Sequence, residues 1–157
     1  MTFTLDEKSL KELDGVHEDL VHVVKSAAVI STVGYVVYGP CTAQEQNELF
    51  LRGASKMDGR KKLSRQQTGH GVLLMPLVAG RIRAEKALSF HIAEAVRKAA
   101  RQFSVVIRWG GIRRRITDEG DKGLTIEQLF LRSPAWDFHL YELPESHYPP
   151  ERVEAAA

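Results

Sequence analysis

The sequence predicts an α+β domain, with a small and mostly antiparallel sheet packed with helices. Helical patterns alternate with short strand-like runs, no repeat or low-complexity tract interrupts them, and two helix-opening capping boxes stand where helices should begin. At 157 residues the chain is long enough for a single core burying roughly two thirds of its unfolded surface, so residues 1–157 are expected to form one domain.

In chain order, Leu20, Val21, Val23, Val24, Ala27 and Ala28 form an apolar stripe at helical spacing, and Gly34-Tyr35-Val36-Val37-Tyr38 reads as a strand. Thr42 followed by Glu45 is the first capping box, placing a helix start near Ala43 with Gly53 as its stop. Residues 54–68 are polar and basic, a loop expected over a cleft. Val72 to Met75 is apolar without alternation, which predicts a strand buried on both faces. His91 to Phe103 is a helix, Val105 to Trp109 a strand, and Gly110-Gly111 its turn. Residues 112–124 read as a mobile loop. Thr125 and Gln128 make the second capping box, before a short helix, and His139 to Leu143 completes the sheet. From Pro144 onward, residues 144–157 read as a surface extension.

Composition narrows the partners. Lys and Arg number 22 and Asp and Glu 20, a net charge of +2 that is too near balance to argue for nucleic acid. The basic run Arg113-Arg114-Arg115 is followed by Asp118, Glu119 and Asp121, as a solvated loop would be. No apolar run approaches the ~20 residues of a membrane span, and the N-terminus lacks signal-peptide regions. One cysteine forms no internal disulfide. The expectation is a cytoplasmic monomer without cofactor.

Ser64-Arg65-Gln66-Gln67-Thr68-Gly69-His70-Gly71-Val72-Leu73-Leu74 is the most informative segment. It resembles the Ser-Arg-His-x-x-Gly-x-Ala-x-Asp-Leu motif of zinc D-Ala-D-Ala carboxypeptidases and of the L-alanyl-D-glutamate endopeptidases of phage endolysins. Residues 9–20, Thr42 to Asn47, Ile92 to Ala95 and Trp109-Gly110-Gly111 are similar to endolysin segments as well. Asp137-Phe138-His139-Leu140-Tyr141-Glu142-Leu143 stands where that family closes with Asp-x-Pro-His-aromatic-Glu-Leu. The resemblance implies the fold shared by Hedgehog proteins and DD-peptidases.

It also implies zinc ligands at Gln66, Leu73 and Leu140, and none of these side chains suits the metal. Zinc needs deprotonated nitrogen, oxygen or sulfur donors about 2.0 to 2.3 Å away. The expectation is therefore no metal and no peptidase activity. Tyr38 and Cys41 stand where the resemblance implies an acid and a substrate-binding arginine, Ile112 where it implies an aspartate. Changes gathered at one cleft, mostly from polar to apolar, are those of remodelling, by evolution or by design.

Two functions of different class follow. In the first, the remodelled cleft is a metal-free, esterase-like hydrolase. Cys41, just before the helix opened by Thr42, is its nucleophile, because the positive end of a helix dipole favours thiolate. His139 shuttles the proton, Gln66 or Tyr38 donates to the oxyanion, and Asp137 orients a histidine or acts as base. Leu73, Met75, Leu140 and Ile112 form an apolar wall for a small hydrophobic substrate. In the second, the chain is an inactive pseudo-peptidase that binds a small ligand or cell-wall fragment. The bland reading of each candidate is a buried thiol, a neutral filler or a surface carboxylate. Adjacent strand residues face opposite ways, so if Leu140 points into the cleft, His139 points out of it.

Overall fold

A computed structural model describes residues 5–39, 51 and 68–149. The Thr42 capping box, the Gly53 stop and nearly all of the 54–68 loop lie outside them, as do Cys41 and Gln66.

The described chain opens with α1 (Glu7–Glu12), a helix the periodicities did not announce. Asp6 caps it, its carboxylate accepting from Ser9 N at 2.7 Å. Sheet edges expose unpaired backbone groups, and α1 closes one of them. Ser9 Oγ accepts from Val37 N at 3.0 Å and Glu12 Oε2 accepts from Gly39 N at 3.0 Å. Only glycine fits at 39, because a Cβ there would stand 1.7 Å from the Glu12 carbonyl oxygen. Next comes α2 (Glu18–Ile30), in which Leu20, Val23, Val24, Ala27 and Ala28 are buried as the stripe predicts. It packs against α3 (Lys86–Gln102), which begins five residues before the expected start at His91 and buries Ile92, Ala93, Val96, Ala99 and Ala100.

The sheet has the order β1-β2-β6-β4-β5, from strands Gly34–Tyr38, Gly71–Val78, Leu140–Glu142, Arg108–Trp109 and Arg114–Arg115; β3 (Arg81–Ile82) pairs with β2. Among the described residues every strand pairing is antiparallel. One expectation is corrected here. β2 is not buried on both faces: Val72, Leu74 and Pro76 are buried, whereas Leu73, Met75 and Leu77 are half-buried. Two-sided burial belongs to parallel sheets flanked by helices, and an antiparallel sheet can bury one face alone. Tyr35, Val37, Val72, Leu74, Tyr141 and Trp109 form the covered face, joined with α2 and α3 in one hydrophobic core.

Residues 112–124 form an ordered hairpin arm rather than a mobile loop. Ile112 and Ile116 are buried, β5 lies within the segment, and a 3-10 turn spans Glu119–Asp121. Arg114 pairs with Asp121 at 2.6 Å, which removes it from the solvated run. The helix α4 (Ile126–Arg132) carries both bonds of the Thr125–Gln128 capping box. The start of the C-terminal extension is anchored: Tyr148 packs on the core, meets the His17 ring edge-on and donates to Asp19 Oδ2 at 2.5 Å.

Candidate functional site

The open face of the sheet, the one turned away from α2 and α3 among the described residues, is built by register. Directly opposed residues on paired strands project to the same side. Tyr38 opposes Leu73 and Leu73 opposes Leu140, while Gly110 N donates to Leu140 O at 2.9 Å. These residues make one continuous row across β1, β2, β6 and the end of β4. Because Val37, Val72, Leu74, Tyr141 and Trp109 point into the core, the row faces away from the helices. Val36 and Met75 form the row beside it on one side. On the other side Gly71, Glu142, Arg108 and Arg115 are opposed in turn. An apolar row therefore lies next to an ionic one, in which Arg108 and Glu142 form an ion pair.

The structure thus brings Tyr38, Leu73, Met75 and Leu140 onto one face, all of them half-buried. Ile112 is instead buried in the turn between β4 and β5, where its amide donates to Trp109 O at 3.3 Å. Asp137 is seated against Gly110, where a Cβ would stand 2.4 Å from the Asp137 carbonyl oxygen. Burial raises its carboxyl above the ordinary carboxylate range, and Glu142 pushes the same way against the opposing pull of Arg113 and Arg108. Asp137 is therefore no freely solvated surface carboxylate.

His139 sits differently from Leu140. Its Nδ1 lies 3.2 Å from the hydroxyl of Ser89, a buried residue on the first turns of α3, and its carbonyl accepts from Leu74 N at 2.9 Å. The imidazole thus turns toward the helix layer, as strand alternation anticipates. Burial holds its pKa below the ordinary histidine value, and the bond from Leu74 opposes this. His70 also lies on the side away from Leu73; it is buried, 2.8 Å from Thr68 Oγ1 through Nδ1 and beside the His17 ring.

Sequence reasoning missed the polar neighbours of this face. Arg113 lies over the Trp136 ring, 5.6 Å from its centroid, and Trp136 is 61% exposed. The available signal was the run Arg113-Arg114-Arg115, whose last two residues form β5 and face opposite ways, hidden as long as this stretch was read as a loop. The hydrocarbon side chains of Leu73 and Leu140 offer zinc no donor. Among the described residues, no group of three or more His, Cys, Asp or Glu is placed to hold a metal ion, and no helix is long and apolar enough to cross a membrane.

Comparison with known proteins identifies the frame in which this face sits. The family model described as phage L-alanyl-D-glutamate peptidase matches residues 1–135. The crystal structure of the Serratia marcescens L-Ala D-Glu endopeptidase ChiX is similar at 31% identity and a TM-score of 0.72, over 95% of this chain and 94% of that one. Comparison with curated proteins returns no match. With the α+β fold, the antiparallel sheet and the matched segments in agreement, the chain belongs to the phage L-alanyl-D-glutamate peptidase family.

Proposed function

We propose that this chain is a zinc-independent member of its family whose cleft binds a small ligand with an apolar face, such as a cell-wall fragment or another hydrophobic molecule. The carrying observation is the direct opposition of Leu73 and Leu140 on the open face. At these two positions the family resemblance implies an aspartate and a histidine that hold zinc. With leucine at both and Gln66 at the third, the donor set does not fit the metal. The same leucines supply the apolar floor that small-molecule sites use, with Tyr38 and the Arg108–Glu142 pair as polar rims. The reading includes a cytoplasmic monomer that needs no cofactor.

Metal analysis and thermal melts test it. The protein should purify without stoichiometric zinc, and a chelator should leave Tm unchanged. One tightly bound zinc per chain would overturn the reading.

A second reading of the same cleft is metal-free ester hydrolysis, with Cys41 attacking an activated acyl group and expelling the alcohol. One observation favours it. Burial lowers the pKa of His139 and so favours the neutral form that can accept a thiol proton. Because the ring faces Ser89 on the covered side of the sheet, it must turn toward the cleft to act in this reaction. An activated aryl ester should then give a burst of about one equivalent per chain, abolished in Cys41→Ala and slowed in His139→Ala. Turnover unaffected by Cys41→Ala removes the nucleophile and leaves the binding reading alone.

A further inference from the structure

The β4–β5 end of the cleft gathers three arginines, Arg108, Arg113 and Arg115. Alternation along β5 sends Arg114 toward Asp118 and Asp121 and puts Arg115, opposite Arg108, on the open face of the sheet, while Arg113, in the left-handed turn just before β5, reaches over the Trp136 ring. Arg115 directly opposes Arg108 across the hairpin, an arrangement of like charges that destabilises a strand pair unless anions intervene. Glu142 answers Arg108. Arg115 donates to the neutral Ser146 hydroxyl at 3.0 Å, and Arg113 rests on the Trp136 ring; among the described residues neither forms an ion pair. Asp137 feels both Arg113 and Arg108. Arg113 and Arg115 are thus left without an ion-pair carboxylate among the described residues, Arg113 beside an aromatic ring that is open to solvent.

We propose that this end of the cleft is an anion subsite, in which Arg113 and Arg115 receive the carboxylate of a small ligand whose apolar part lies on the Leu73–Leu140 row. The inference rests on the reading of that row as a binding surface and adds the chemical class of the ligand: a monocarboxylate with an aromatic or aliphatic body. A carboxylate supplies the anionic partner that Arg113 and Arg115 lack among the described residues. The planar forks of arginine suit its two oxygens, and the Trp136 ring flanks the ligand beside Arg113.

The test uses 2-naphthoylglycine and its neutral counterpart 2-naphthoylglycinamide, titrated calorimetrically into the full chain at low and high salt. The acid should bind about tenfold more tightly than the amide, as expected for a charge-assisted contact, and added salt should erode the difference. Arg113→Gln and Arg115→Gln should each weaken the acid and leave the amide unchanged, with melts confirming the fold. Leu140→Ser should weaken both probes alike. Equal affinity for acid and amide in the parent, or a preference for the acid that survives the double Arg→Gln variant, overturns the anion subsite and leaves the apolar cleft standing. An arginine-dependent preference in a protein whose affinity for both probes is unchanged by Leu140→Ser keeps the subsite and overturns the cleft reading. Binding of neither probe overturns both.

Discussion

The imidazole of His139 is the residue whose environment most directly links stability to pH. Its Nδ1 faces the buried Ser89 hydroxyl, and burial disfavours its charged form. A histidine whose folded pKa is lowered binds its proton more readily in the unfolded chain, where the value is about 6.5. Its contribution to stability is complete above that pH and is lost as the pH falls through the folded value. Thermal melts from pH 8 to pH 5 should therefore show Tm dropping below about pH 6.5, and the drop should be shallower in His139→Gln. Parallel pH profiles for parent and variant would mean that the ring is as solvated in the fold as out of it. Asp137 has the opposite sign, since its raised carboxyl favours the folded state at low pH. A neighbouring pair of residues thus imposes opposing pH dependences on one end of the sheet.

Among the elements, α4 is held chiefly by its ends. It spans only Ile126–Arg132, it buries Ile126 and Leu129, and most of its remaining residues face solvent. So short a helix is marginal by itself, and the reciprocal Thr125–Gln128 bonds at 3.1 and 2.9 Å satisfy two backbone donors at its start. Thr125→Ala should destabilise the protein by about 1 kcal/mol, a Tm shift of roughly 2 to 4 °C for a domain of this size. The shift should be readable by calorimetry without change in the far-ultraviolet spectrum. An unchanged Tm would assign the helix start to packing of Phe130 against Phe90 and Phe138 instead. The helix matters to the site through that same aromatic cluster, because Trp109 touches Phe90 and donates to Phe138 O at 2.8 Å, just before Asp137 and Leu140 are reached.

At the scale of the whole molecule, the fold keeps the family's frame around an altered floor. Leu73 and Leu140 belong to strands joined edge to edge, so donors substituted there would stand side by side on one face. The triple variant Gln66→His, Leu73→Asp, Leu140→His should bind about one zinc per chain, measured by metal analysis after dialysis, at the distances and donor types zinc requires. Peptidase activity need not follow, because Tyr38 and Cys41 remain where the resemblance implies an acid and an arginine. A well-folded triple variant without zinc would show that the third ligand position has been assigned one residue away, at His139. That alternative already conflicts with the contact between His139 and Ser89 on the covered side of the sheet.

Local chemistry alone determined several parts of this protein: the α2 stripe, the β1 strand, the second capping box and the motif correspondences that led to the family. Helix periodicity, cap geometry and short motifs are written in neighbouring residues, so they are legible without tertiary contacts. The α1 helix escaped notice because its role lies in side chains that cap a strand far along the chain, Ser9 for Val37 and Glu12 for Gly39. The open face of β2 escaped for a related reason. An unbroken apolar run reads the same whether one face or both are covered, and only strand order and helix placement decide between them. The ionic row was hidden in the same way, since Arg108, Arg115 and Glu142 come from three strands and meet only through register, and so was the contact of Arg113 with Trp136. Sequence fixes which groups are available; the opposition of strands decides which of them share a face, because every one-residue step turns a side chain to the other side of the sheet.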